Sequence, residues 1–270
     1  MTQVFIGERD VVSVSGEEAT SYLQGQLSQD ISALAINDSA WSLILQPQGK
    51  VDAWFRITRT GNDAYLLDVD AAYGDVLLAR LKRFKLRTKA DLSLETWTLH
   101  AYSSPMPDVE APIVAPSASG EGTDVIGPDL PTPLADEMDP ITYERQRILA
   151  GVPAMGAELG ESTIPAEARI VDRSVSFTKG CYTGQELVAR VDSRGDNTPR
   201  RLRVVQGSGD ANIGDELIVG DAVAGTLTSV AAGSEDFVAL AYVKRAAFDA
   251  TEFSLAGRVV EVSPVPADRS

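Results

Sequence analysis

The sequence predicts an α+β protein that closes with a small β-barrel. Two patterns carry this expectation. Over roughly the first 200 residues, strand-like and helix-like segments follow one another without the regular strand–helix alternation of a doubly wound parallel sheet. After residue 200 the helical periodicity stops, and short alternating runs punctuated by Gly and Asp take over.

In chain order, Val4, Ile6, Val12 and Val14 suggest two short strands around a turn at Gly7–Asp10. Ser15 with Glu18 three residues later is a capping-box pattern. Ala19, Tyr22, Leu23 and Leu27 then recur at helical spacing, so a helix is expected over about 16–27. Residues 40–45 and 50–58 read as two strands of a hairpin around Gln46-Pro47-Gln48-Gly49, and 64–69 as a further strand. Val76, Leu77, Leu81 and Phe84 mark a helix over 75–86. Residues 103–135 hold seven of the 14 prolines and read as a linker or long loop, broken at most by one strand near Val125-Ile126. Asp139-Pro140 is a good N-cap and first-turn pair for a helix over 141–150, with Gly151 as its stop. Leu202–Val205, Glu216–Val219, Ala224–Ser229, Phe237–Val243 and Arg258–Val262 are the strands expected in the C-terminal barrel or sandwich.

Composition narrows the function. The chain has 270 residues, of which 44% are hydrophobic and 23% charged, ordinary values for a soluble globular protein. Lys plus Arg number 24 against 39 Asp plus Glu, a formal net charge of −15. Such a surface repels phosphate backbones, so direct DNA binding is not expected. One Cys excludes an internal disulfide and a Cys-based zinc site; one His, His100, argues against a His-rich metal site or a Ser–His–Asp triad. No apolar run is long enough for a membrane helix, and MTQVFIGERD has no signal-peptide pattern, so a cytoplasmic location is expected.

The segment KGCYTGQE, Lys179–Glu186, holds the only cysteine, Cys181, between two glycines and close to Lys179. Gly180 and Gly184 permit backbone conformations closed to other residues, and a nearby cation or backbone N–H groups would favour the thiolate. Cys181 therefore reads either as a reactive thiol or as a small buried hydrophobe. The spacing alone names no reaction.

KGCYTGQE resembles the signature of the YgfZ-type folate-binding proteins, relatives of the glycine-cleavage aminomethyltransferase or T-protein. Further matches are SYLQGQLSQDI (21–31), PQGKVDAWFRI (47–57), RILAGVP (147–153), TIPAEA (163–168), RRL (200–202), GTLTS (225–229) and ALAYVKR (239–245). The resemblance covers about residues 10–262 and is weakest over 103–135. It implies three small domains in a ring around a central folate-sized hole. Residues 1–45 and 101–200 would form a discontinuous α+β folate-binding domain, 46–100 a second α+β domain, and 201–270 the C-terminal β-barrel.

The resemblance also implies tetrahydrofolate as cofactor and iron–sulfur client or assembly proteins as partners, tRNA-modifying enzymes among the clients. Glu167 aligns with the T-protein glutamate that binds the pterin, and a carboxylate can pair with two pterin N–H groups. Arg200 and Arg201 resemble paired arginines near folate, and Tyr182 could stack on the ligand. Their plainer readings are a loop acid, charges that block a strand edge, and a core aromatic. Cys181, with Lys179 beside it, is the expected reactive pair.

One departure bears on the reaction. The T-protein catalytic Asp-Asp pair falls on Ala53 and Trp54 here, and Asp52 lies one residue early, a shift that turns a strand side chain to the other face. The expected function is therefore a tetrahydrofolate-binding factor for assembly or repair of iron–sulfur clusters. A folate-dependent aminomethyl transferase is the alternative, and a scaffold that has lost its ligand a third reading. The basic run Arg80–Lys89, six cations in ten residues, reads as a solvated helix face or as a site for a folate polyglutamate tail or an acidic or RNA-bearing partner.

Overall fold

The structure is a computed structural model that describes residues 2–105, 109–119, 121–193 and 197–266; Pro107 and the last four residues of the expected barrel unit fall outside these. Eight strands form the first sheet: β1 (Gln3–Ser15), β2 (Ser39–Leu45), β3 (Val51–Gly61), β4 (Ala64–Asp70), β5 (Asp91–Tyr102), β6 (Ile113–Pro116), β7 (Thr123–Gly127) and the short β8 (Asp136–Glu137). Their order is β2-β3-β4-β1-β5-β7-β6, with β8 beside β1. Between and after them lie α1 (Ala19–Gln26), α2 (Gly74–Lys85), α3 (Pro140–Leu149), α4 (Val171–Ser174) and α5 (Gln185–Ser193). The remaining strands are β9 (Arg200–Ser208), β10 (Glu216–Val219), β11 (Ala222–Ala232), β12 (Asp236–Lys244), β13 (Phe253–Leu255) and β14 (Arg258–Pro264). They close a barrel in the order β10-β11-β12-β9-β14-β13. The α+β class and the C-terminal barrel are as expected.

Three local expectations change. Residues 3–15 are one strand, because β1 pairs with β5 from Val4 to Ser15 and with β4 from Arg9 to Ser15. Two full ladders outweigh the turn-like composition at Gly7–Asp10. Ser15 stays in that strand, so no capping box forms; the Glu18 carboxylate accepts the Lys89 backbone N–H instead, at 2.6 Å. The proline-rich stretch supplies β6 in addition to the strand expected near Val125-Ile126, which is β7, and β8 follows directly after it. β1, β4 and β5 share one continuous sheet; of the expected domain boundaries, 100/101 falls inside β5 and 45/46 at the end of β2, in the β2–β3 hairpin. Asp139 behaves as predicted and caps α3, accepting the N–H groups of Ile141 and Thr142 at 3.0 Å each.

One face of the sheet, with Val12, Val14, Phe55, Ile57, Leu67 and Val69, buries Tyr22 and Leu23 of α1 and Leu77 and Leu81 of α2. The other face carries a smaller apolar cluster around Val11, Leu66, Trp97 and Ile126. It also carries a buried ion network. Arg56, 2% exposed, pairs with Asp68 at 3.0 Å and with Asp124 at 3.0 Å, and Arg9 joins Asp68 at 3.1 Å and Asp70. Desolvation raises the Asp124 carboxyl, opposed by Arg56 and Arg9. Removing one member of such a network would strand a buried charge, at a cost of about 3–5 kcal/mol.

Sheet and barrel are tied through α3 and the loop after it. Ile148 packs with Leu202, Val204, Leu240 and Tyr242 of the barrel. The Leu202 N–H donates to the Glu167 carbonyl at 2.8 Å. The fully buried Glu158 side chain accepts from the hydroxyls of Thr228 and Ser229 at 2.6 Å each, and from the Ala154 N–H at 2.9 Å.

Candidate functional site

Four motif segments that lie far apart in the chain meet at the tip of the β2–β3 hairpin. The first is the KGCYTGQE loop. Its Lys179 ammonium donates to the carbonyls of Gln24 at 2.7 Å, Leu27 at 2.6 Å and Gln29 at 3.0 Å, all in SYLQGQLSQDI. Gln24 lies in the last turn of α1 and Leu27 is its C-cap, where carbonyls lack helical partners and a cation satisfies them well. The third motif, PQGK, meets the loop through two glycines. Gly49 has φ +77 and Gly184 φ +83. A Cβ on Gly49 would sit 2.9 Å from the Gly184 carbonyl oxygen, and one on Gly184 3.2 Å from the Gly49 Cα. The fourth, TIPAEA, joins where the Val51 N–H donates to the Thr163 carbonyl at 3.0 Å.

The predicted need for glycine holds at Gly184. It does not hold at Gly180, whose φ is outside the left-handed region and whose Cβ position has open space. Beyond Gly184, α5 begins at Gln185, whose side-chain oxygen accepts the Tyr182 N–H at 3.2 Å. The loop is therefore held at both ends and in its middle. Cys181 projects from it with an exposed side chain. The buried-hydrophobe reading of this cysteine is excluded.

Beside the thiol loop is a cavity of about 310 Å³ lined by Phe177, Lys179, Tyr182, Gln185, Glu186 and Ala189, with Ser176. The Lys179 Nζ lies 5.3 Å from the Tyr182 ring centroid. Burial pulls the Lys179 ammonium down to about 8, and Asp30 acts in the opposite direction. Burial also pushes the Tyr182 phenol up to about 12. With all three donors on carbonyls, Lys179 positions the loop and has no spare hydrogen for the thiol.

Glu167 and Arg200 are brought together elsewhere, at the junction with the barrel. The buried Glu167 carboxylate accepts from Arg200 Nε at 3.1 Å and from the Ile164 N–H at 3.4 Å through the same oxygen. The Arg200 guanidinium lies 4.0 Å from the Tyr242 ring centroid, and that of Arg201 4.5 Å from Phe248. Neither Glu167, Arg200 nor Arg201 lines the cavity beside the thiol loop, nor the smaller one of about 120 Å³ between Ala166 and α5. Sequence reasoning missed Glu158, which holds the two halves together. Its setting, AELG, has no pattern that separates a buried acid from a surface one.

The positions of the T-protein carboxylates are filled by packing. Ala53 is buried, and buried Trp54 stacks on Trp41 at 4.2 Å while its indole N–H donates to Ser174 Oγ at 2.9 Å. Asp52 is paired with Arg80 of α2 at 2.9 Å. No free carboxylate stands on this stretch of β3.

No family model matches the chain. A protein from Haemophilus influenzae described as uncharacterized is 27% identical over 221 residues, which cover 79% of this chain and 77% of that one. The mitochondrial iron-sulfur cluster assembly factor IBA57 homolog of Pyricularia oryzae is 32% identical over 210 residues, 69% of this chain and 53% of the relative. The Aspergillus fumigatus protein of the same description is 31% identical over 240 residues, with the same coverage. The chain thus spans about half the length of these fungal relatives. Among solved structures, the glycine cleavage system aminomethyltransferase T of Bartonella henselae superposes with a TM-score of 0.75 at 16% identity, covering 99% of this chain and 87% of that one. The chain has the fold of that aminomethyltransferase and is similar in sequence to the IBA57 assembly factors, which supports the YgfZ-type, aminomethyltransferase-like family implied by its motifs.

Proposed function

We propose that this chain is an assembly or repair factor for iron–sulfur clusters and that Cys181 is its reactive group. The observation that carries the reading is an exposed thiol on a loop braced by three other motif segments. Access favours reaction, and bracing holds the sulfur in a fixed place. Among the described residues no group of three or more His, Cys, Asp or Glu side chains could hold a metal. A cluster would therefore be cargo, held jointly with a client, an assembly protein or small thiols. In that exchange Cys181 gives its proton to solvent and its sulfur lone pair to iron, while a thiolate on the donor leaves and takes up a proton. The similarity to IBA57 assembly factors supports the same reading.

Aminomethyl transfer is disfavoured by Ala53 and Trp54, and turnover in a direct assay of methylene-tetrahydrofolate formation would reverse that ranking. Replacing Cys181→Ser should leave the thermal midpoint unchanged and abolish maturation of a cluster-dependent client in cells lacking the wild-type protein. Full activity of the serine variant removes the thiol from the mechanism.

We propose tetrahydrofolate as the bound ligand, on the strength of the motif resemblance. As folded, Glu167 does not offer a pterin edge two free oxygens, because one already accepts from Arg200 and Ile164. Arg200 is 35% exposed, which leaves its guanidinium room to swing away so that pterin N–H groups replace it. Calorimetric titration with tetrahydrofolate tests this. Glu167→Ala should weaken binding about 30- to 1000-fold, the loss of one buried charge-assisted pairing. Arg200→Ala should tighten it. Equal affinity for wild type and Glu167→Ala removes Glu167 from the ligand site.

A further inference from the structure

The C-terminal end of α2 carries a feature that the thiol site does not use. Of the six cations between Arg80 and Lys89, two are neutralised: Arg80 by Asp52 at 2.9 Å and Lys89 by Glu17 at 2.6 Å. Lys82, Arg83, Lys85 and Arg87 have no ion-pair partner among the described residues. The guanidinium groups of Arg80 and Arg83 lie 4.0 and 5.6 Å from the Phe84 ring centroid. Phe84 itself is 36% exposed.

Cations in the last turn of a helix suit its dipole, and that accounts for the charges. It does not account for Leu86. This residue follows the helix with φ +46, where glycine is the unstrained choice, and its side chain is 91% exposed. Within this chain the leucine gains neither backbone comfort nor burial. A bulky aliphatic group held out in water among four unpaired cations, on a protein of net charge −15, is complementary to something acidic and apolar.

We propose that this surface docks a short acidic protein segment that carries an aliphatic residue over Leu86. The occupant is a protein rather than RNA, since the exposed Leu86 gains nothing from a phosphate backbone and an aliphatic side chain of an acidic segment can cover it.

The test uses the full chain and a fluorescent synthetic peptide of repeated Glu-Glu-Leu, followed by anisotropy. Poly-L-glutamate of equal length and a single-stranded RNA oligonucleotide serve as comparison probes. The Glu–Leu peptide should bind best, and added salt should weaken it. Leu86→Gly should lower its affinity about tenfold or more, the worth of one leucine side chain removed from water. That variant also relieves the backbone, so it should fold at least as well as wild type. Arg83→Glu with Arg87→Glu should abolish binding. The proposal is overturned if the peptide does not bind, if polyglutamate binds as tightly and Leu86→Gly changes nothing, or if the RNA binds more tightly. It is also overturned if the chain self-associates through this surface, shown by dimerisation that Leu86→Gly removes.

Discussion

Gly184→Ala should damage the protein far more than Gly180→Ala, although both substitutions add one methyl group to the same octapeptide. At Gly184 the new Cβ would lie 2.5 Å from the Gln46 carbonyl oxygen, 2.8 Å from the Leu45 Cβ and 3.2 Å from the Gly49 Cα. All three neighbours belong to or sit directly on the hairpin backbone, so no flexible side-chain end can yield. Holding an L-residue at φ +83 costs about 1–2 kcal/mol. Separating the overlapping backbones adds about 1–3 kcal/mol, so the total is about 2–5 kcal/mol. That is a large part of a typical folding stability of about 5–15 kcal/mol. At Gly180 a Cβ meets nothing within 4 Å, and the change should stay within about 0.5 kcal/mol. Urea unfolding followed by tryptophan fluorescence gives both values, with Trp54 in the core next to the hairpin as reporter. Equal midpoints for the two variants would refute the claim that the hairpin tip braces the thiol loop.

Two further outcomes follow from the same geometry. Glu158→Ala leaves Ser229 and Arg147 without their buried acceptor and should cost about 3–5 kcal/mol in urea unfolding; a loss below about 1 kcal/mol would show that water replaces the carboxylate. Lys179 releases its proton near about 8 in the folded chain against 10.5 ordinarily, so between those values the unfolded chain binds more protons. Stability should therefore rise with pH across that window in wild type and not in Lys179→Met. A flat or falling wild-type difference would mean that the three carbonyls outweigh desolvation and keep the ammonium charged.

Much of the fold was legible because its signals are local. The Asp139-Pro140 cap, the β2–β3 hairpin around Gly49 and the alternating strands after residue 200 each depend on residues close in sequence. Strand β1 was misread because its continuity comes from two partners that lie about 50 and 90 residues downstream. In the proline-rich stretch the strand near Val125-Ile126 was legible, while β6 was hidden because it is held only by its ladder to β7. At the site, the octapeptide marked the thiol loop, but its two glycines read alike in sequence and only Gly184 takes a left-handed φ. That Lys179 points at α1, and that Glu167 is already held by Arg200, are long-range facts that no spacing in the sequence encodes.

The barrel's attachment has a consequence for any attempt to divide the protein. Its strand β9 begins with a main-chain bond to the residue that carries the Glu167 acid, and the hydroxyls of β11 are spent on Glu158. Cutting the chain near residue 199 would leave a buried carboxylate without its two hydroxyl donors on one piece and a bared apolar flank around Leu202 and Leu240 on the other. Shortened forms should therefore precipitate rather than persist as independent modules, and limited proteolysis should yield a nicked but still associated pair of fragments.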